Sequence, residues 1–187
     1  MKNPEAGAGW EIVREFVQPE IAETAGKQVL KLIEEESSYV SRFDRNTYGH
    51  YLFENYRLHS WSPSSFPDYT DTITADSTAR EEYAELINIH RKAVKTVDSY
   101  IQTAQINVFE PNGRMRRHRD RILGETIVVS LLGVGRVNLV DPVSAQPHEF
   151  VVNPGDAMHL INPRRQSLRP RHVVKNIGLT RRVTLVA

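Results

Sequence analysis

Apolar positions along the chain recur at two periods. After Pro19, the residues Ile21, Ala25, Val29, Leu32 and Ile33 are spaced three and four apart, which predicts a helix with one buried stripe. Pro19 falls where the first helical turn tolerates a missing N–H. A second helix is predicted from Thr78, which forms a capping-box pattern with Glu81. Tyr83, Leu86, Ile87, His90, Val94, Val97 and Ile101 then form one stripe, on which His90 is expected to be a buried core residue. From residue 104 the period becomes two. Gln105–Glu110, Thr126–Leu132, Arg136–Val140, Glu149–Val152, Asp156–Ile161, Arg171–Val174 and Arg182–Val186 read as short strands. Turn signals separate them, among them Pro111-Asn112-Gly113, Asp141-Pro142 and Asn153-Pro154-Gly155. Short strands with no helices between them imply a sandwich or barrel, so helices are expected first and an antiparallel β core after them.

Between the two helical stretches, Tyr39 to Tyr69 holds Tyr39, Phe43, Tyr48, Tyr51, Phe53, Tyr56, Trp61, Phe66 and Tyr69. Gly49, Pro63 and Pro67 exclude one long regular element there, although Tyr48 to Leu58 is rich in strand-forming residues.

Composition narrows the class. The chain has 187 residues and no cysteine, which excludes disulfide frameworks, thiolate metal sites and a Cys nucleophile. That length suits one domain with its own core. No apolar run is long enough to span a membrane and no signal peptide is visible at the N-terminus, so a cytoplasmic location is expected. The net charge of +1 hides an asymmetry. Residues 101–187 carry 13 Lys+Arg against 6 Asp+Glu, and all of those basic residues except Lys175 are Arg. Such a half is either a solvated basic face or a surface for an anionic substrate.

Candidate chemistry lies on the β core. His118 and Asp120 are two apart, so on an extended chain an imidazole and a carboxylate share one face. His172, on another predicted strand, is available as a third ligand. Two His and a carboxylate leave open positions on a metal, the arrangement of non-heme Fe(II) oxygen chemistry. By itself His-x-Asp is equally a polar surface turn. Arg182 opens the last strand, and an Arg inside a barrel requires an anion. Asn107, one strand before the His-x-Asp, offers another hydrogen bond. Each of these two also has a plain reading, as a rim salt bridge and a strand-edge amide.

The ordered set carries more. Asn107-Val-Phe-Glu-Pro-Asn-Gly113, His118-Arg-Asp120 and Gly124-Glu-Thr-Ile-Val-Val-Ser-Leu-Leu-Gly133 resemble the AlkB-like branch of the 2-oxoglutarate- and Fe(II)-dependent dioxygenases. Pro154-Gly-Asp156 resembles the segment before that family's distal His. Arg171-His172 resembles the distal ligand, and Arg182-Val-Thr-Leu-Val the closing strand. The resemblance covers residues 104–187. It departs from the family at Phe109, where a Tyr is common; the family's second Arg would fall at position 188, one past the last residue given.

The resemblance implies an α+β protein with a double-stranded β-helix (jelly-roll) core and N-terminal helices packed outside. The whole chain, 1–187, would be one dioxygenase domain, with helices and an aromatic substrate lid over 1–103 and the β core over 104–187. His118, Asp120 and His172 would be the catalytic metal ligands for Fe(II). The co-substrate 2-oxoglutarate would pair its distal carboxylate with Arg182 or Arg181, Asn107 would assist it, and O2 would supply the oxidising power. Oxidative dealkylation of nucleic acid is the leading expectation, with alkylated nucleic acid as partner and no membrane involved. Tyr48, Tyr51, Trp61 and Arg116 are the expected substrate contacts. A dioxygenase acting on a small molecule, amino acid or protein side chain is the alternative enzyme, and a non-catalytic jelly-roll binding module is the alternative outside catalysis.

Overall fold

In a computed structural model of the chain, the described residues are 5–35, 48–54, 57–60, 84–97, 104–120 and 124–187. Twelve strands occur among them: β1 (Glu5–Gly7), β2 (Trp10–Val13), β3 (Tyr48–Glu54), β4 (Arg57–Ser60), β5 (Ala104–Phe109), β6 (Arg114–His118), β7 (Gly124–Leu132), β8 (Gly135–Val140), β9 (Pro147–Val152), β10 (Ala157–Asn162), β11 (Arg171–Asn176) and β12 (Arg182–Val186). Two helices, α1 (Pro19–Glu35) and α2 (Ala84–Thr96), accompany them. The strands form an eight-stranded sheet, β1-β2-β10-β7-β12-β5-β3-β4, and a four-stranded sheet, β6-β11-β8-β9. All pairings are antiparallel. This is the expected double-stranded β-helix, with helices against the outside of the larger sheet.

Strand alternation divides the core into two layers. Ile106 and Val108 of β5, Ile127, Val129 and Leu131 of β7, and Val183 and Leu185 of β12 pack with Ala25 and Val29 of α1 and Leu86, Ile89 and Ala93 of α2. Their neighbours in sequence turn the other way. Phe109, Met158 and Leu160 join Trp10 and Ile12 in packing against Val137, Leu139, Val152 and Val174 of the smaller sheet. Residues in step with this second set therefore face the space between the sheets: Asn107, Ser130, Asn162, His172, Arg182 and Thr184. All six are buried. His90 is buried on the inner stripe of α2 as its spacing predicts.

Helix α1 lies close to β7 because Gly26 faces Leu132, where a Cβ on residue 26 would fall 2.5 Å from the Leu132 Cβ. The Pro154-Gly155-Asp156 turn fastens the start of α1 to the barrel. Asp156 accepts hydrogen bonds from the Asn153 and Glu15 N–H groups and from Arg14 Nη1 at 2.8 Å. Gly155, with φ of 91°, receives the Val17 N–H at its carbonyl.

Two features differ from expectation. Strands β1 and β2 precede the helices, so the larger sheet begins at the N-terminus. The signal is short, a mere four residues in Trp10–Val13. Strand β6 was not expected either, because Arg-Met-Arg-Arg-His has no apolar alternation; it is an edge strand of the smaller sheet, where charge is tolerated. The strand-forming stretch of the aromatic segment behaves as its composition suggests: β3 and β4 lengthen the larger sheet beyond β5. The predicted cap at Thr78 and Glu81 lies outside the described residues.

Candidate metal centre

The smaller sheet brings the histidines together. In the β6–β11 pairing His118 stands directly opposite His172. Asp120 follows two residues after His118, just past the strand end. The His118 Nε2 lies 3.4 Å from Asp120 Oδ1, and the His172 Nε2 lies 3.6 Å from the same oxygen. One ligand atom from each of the three falls within 4.8 Å of the others. The imidazole rings are 4.2 Å apart between centroids and tilted by 58°.

The donor chemistry suits a cation. His118 Nδ1 sits 2.8 Å from the Arg116 carbonyl and donates to it, which leaves the Nε2 lone pair facing Asp120. Burial opposes charging of His118, but Asp120 and the Arg116 carbonyl outweigh it and raise its pKa. Burial also disfavours the Asp120 carboxylate, yet His118, His172 and Asn162 together hold its pKa below the usual value. His172 is almost fully buried, and burial pushes its pKa down to about 4, so it is neutral at pH 7. Two imidazoles and one carboxylate converging on a point match the preference of a divalent first-row metal for N and O ligands.

Arg182 is the second unusual group. It is wholly buried between the sheets, where burial lowers its pKa to about 10, and it remains charged at neutral pH. Nη2 reaches Ser130 Oγ at 3.5 Å, while Nε and Nη1 have no partner. The ring of Phe109 lies 5.4 Å from the guanidinium carbon. Gly135 makes room for this side chain, since a Cβ there would fall 2.6 Å from Arg182 Cζ. An unpaired buried guanidinium costs several kcal/mol unless an anion joins it. A narrow cavity of about 10 Å³, space for one water, touches Arg182, Ser130, Met158 and Asp156 among valines, and the Asp156 carboxylate is taken up by Arg14. Arg181, on the opposite face of the strand, is half-exposed and ion-paired to Glu110 at 2.9 Å. Asn107 faces the inter-sheet space, and its Oδ1 accepts a hydrogen bond from Gln105 Nε2 at 2.7 Å.

Two supporting residues were not anticipated. Asn162, which hydrogen-bonds Asp120, also donates from Nδ2 to Thr126 Oγ1 at 3.1 Å. Its signal was available: it shares a strand face with Met158 and Leu160, so it is a polar residue in step with an apolar run. Arg169 is buried and donates to the backbone carbonyls of Asp120 (2.7 Å), Pro163 (2.8 Å) and Arg164 (3.4 Å). Nothing in its local sequence marks it.

Alternation predicts Arg117, Arg119 and Arg121 on the face away from His118. Arg117 and Arg119 border one open cavity together with His118, Gln166 and Arg171. The register of β6 on β11 shifts between His172 and Val174, and such a bulge breaks the two-residue period. Arg116 is exposed on β6. Tyr48 and Tyr51 lie on β3, opposite Phe109 and Ile106 of β5 in the backbone register. Trp61 and Arg121 lie outside the described residues.

No protein-family model matches this chain, and no curated protein matches it by sequence. Solved structures do. A prolyl-4-hydroxylase from Pseudomonas putida superposes over 96% of this chain and 90% of its own, with a TM-score of 0.59 and 13% sequence identity. The Drosophila melanogaster CENP-C cupin domain matches 44% of this chain at a TM-score of 0.39 and 12% identity, and the match spans 57% of that domain's length. An oxalate decarboxylase from Lactobacillus farciminis matches 45% of this chain at 0.38 and 20% identity, over 23% of its own length. At these identities the likeness to the hydroxylase is one of fold. No helix among the described residues is long and apolar enough to cross a membrane.

Proposed function

We propose that this chain is a 2-oxoglutarate- and Fe(II)-dependent dioxygenase that hydroxylates a C–H bond. The observation that carries the reading is the unpaired Arg182, buried in the same inter-sheet space into which His172 projects from the triad. A two-His, one-carboxylate set calls for a metal with open positions, and the buried guanidinium calls for a carboxylate that the protein itself does not provide.

His118, Asp120 and His172 would hold the metal and Arg182 the distal carboxylate of the co-substrate. When bound, Fe(II) and 2-oxoglutarate together activate O2 for oxidation of an unactivated C–H bond. The chain's own residues do the positioning. Hydrogen bonding to Arg116 O fixes the His118 tautomer so that Nε2 faces the metal position. Asn162 and Arg169 hold Asp120 by its side chain and its backbone. Ser130 orients Arg182, and Gly135 leaves space for it. Admission of the co-substrate requires side chains in the narrow cavity to turn aside. Met158, unbranched and without polar atoms to satisfy, is the best suited to do so.

Oxidative dealkylation of nucleic acid, in the AlkB manner, is one substrate reading; it rests on the motif resemblance and the arginines around His118. Hydroxylation of an amino-acid or protein side chain is the second, and the full-length likeness to a prolyl-4-hydroxylase favours it. Succinate release by the iron-loaded protein, measured across alkylated oligonucleotides, free amino acids and proline-containing peptides, separates them. Substrate-stimulated succinate is expected with one class. Absence of succinate under all conditions, in protein that binds Fe(II), would overturn the dioxygenase reading.

A further inference from the structure

The cavity beside His118 has a lining of unusual composition. It measures about 290 Å³, and the described residues around it are Arg117, His118, Arg119, Gln166 and Arg171. Three arginines thus border one open space, and no acidic residue is in its lining. Each Arg comes from a different backbone position: Arg117 from β6, Arg119 from the connection after it, and Arg171 from the start of β11. Arg119 is anchored, since its Nε donates to the Arg169 carbonyl at 3.2 Å, and Arg169 is in turn fixed to the Asp120 carbonyl. Gln166, at the head of the short 3-10 turn Gln166–Leu168, adds a neutral amide.

Ordinary surface arginines are spread out and neutralised. Arg181, for example, is paired with Glu110, Arg136 with Glu149, and Arg14 with Glu5 and Asp156. Around this cavity three arginines border one space, with no acidic residue in its lining. Their mutual repulsion is relieved by a bound anion. A planar carboxylate is satisfied by one guanidinium fork. A phosphate presents oxygens in several directions and can accept from three donors approaching from different sides.

We propose that this cavity seats a phosphate group of the substrate, next to the metal centre. The inference rests on the dioxygenase reading for the identity of the neighbouring site, but the seat itself involves no metal. It implies that the oxidised C–H bond belongs to a phosphate-bearing molecule, with the phosphate held on the His118 side of the centre. The phosphate could come from a nucleic-acid strand or from a free phosphorylated metabolite, and the recognition chemistry is the same for both.

The test uses metal-free protein at low salt in a phosphate-free buffer, titrated calorimetrically with thymidine 5′-monophosphate, thymidine, inorganic phosphate and a hexathymidylate strand. Binding of the monophosphate but not of thymidine is expected. The R117A/R171A double variant should weaken it by about tenfold or more, consistent with the loss of two charge-assisted contacts. Both side chains are exposed, so the variant is expected to fold, which circular dichroism checks. Tighter binding of the hexamer than of the monophosphate assigns the phosphate to a nucleic-acid strand, and equal binding assigns it to a small molecule. Equal binding of thymidine, no binding by any phosphate-bearing probe, or an unchanged affinity in a folded double variant overturns the proposal. Fe(II) binding, measured on the same preparations, reports separately on the dioxygenase reading.

Discussion

Arg182, proposed to hold the co-substrate, carries a cost in stability. Its charge is buried with one long hydrogen bond and no counter-ion, an arrangement that destabilises a fold without a ligand. Arg182→Met, close in volume and apolar, should raise the unfolding free energy of the ligand-free protein by roughly 1–4 kcal/mol in urea titrations. The same variant should lose most of its affinity for 2-oxoglutarate while still binding the metal. Loss of stability instead would mean that Arg182 has an internal partner and a structural task. His90 gives a pH signature of a different kind. Burial, with a contribution from Arg91, lowers its folded pKa from 6.5 to about 4. Between those values the unfolded chain takes up a proton that the folded chain refuses, so stability falls as the pH is lowered from 6.5 toward 4. The loss attributable to His90 is at most ~3 kcal/mol. His172 adds to the slope in the same sense, so His90→Leu should flatten the metal-free stability profile over that range without abolishing it. An unchanged profile would show that His90 is not neutral in the folded protein.

At the scale of elements, the sequence is readable where one face of a strand is buried. Strands β5, β7, β8, β9, β10, β11 and β12 alternate between an apolar face and another environment, and the period-two pattern locates each to within a few residues. That same alternation places Arg182 with Thr184 and Val186 and separates it from Arg181. Strand β6 escapes because its side chains are mostly charged and it lies at a sheet edge; pairing with β11, rather than burial, makes it a strand. The bulge in that pairing, between His172 and Val174, cannot be read from the residues. Strands β1 and β2 are too short to carry a period. The contact of α1 with β7 depends on a missing side chain, which no hydrophobic pattern reports. Gly26→Val inserts atoms where a Cβ already falls 2.5 Å from Leu132, against backbone of β7 at 3.2 Å. Overpacking of this kind costs about 1–3 kcal/mol, and the expected result is a matching drop in thermal or urea stability with an intact fold. A neutral substitution would mean that α1 shifts freely on the sheet.

On the scale of the molecule, the two sheets provide different parts of one site. The smaller sheet carries His118 and His172, and the larger carries Arg182, Asn107 and Asn162, with Asp120 in the link from β6 to β7. The His118, Asp120 and His172 convergence was legible from strand parity and from the order of motifs. Asn162 was legible in principle, as a polar residue on an apolar face. Arg169 was not, because its value lies in three carbonyls brought together only by the folded loop around it. The central claim is that this junction holds a metal and a 2-oxo acid together. It is tested most directly by anaerobic visible absorption of the purified protein during titration with Fe(II) and then 2-oxoglutarate. A 2-oxo acid chelating a protein-bound Fe(II) through its carboxylate and keto oxygens produces a charge-transfer band that neither component gives alone. The account predicts a saturable band in the unaltered protein, its absence in Asp120→Ala and His172→Ala, and its appearance only at much higher 2-oxoglutarate in Arg182→Met. No band in folded, Fe(II)-loaded protein, or a band of equal strength in Asp120→Ala, would contradict it.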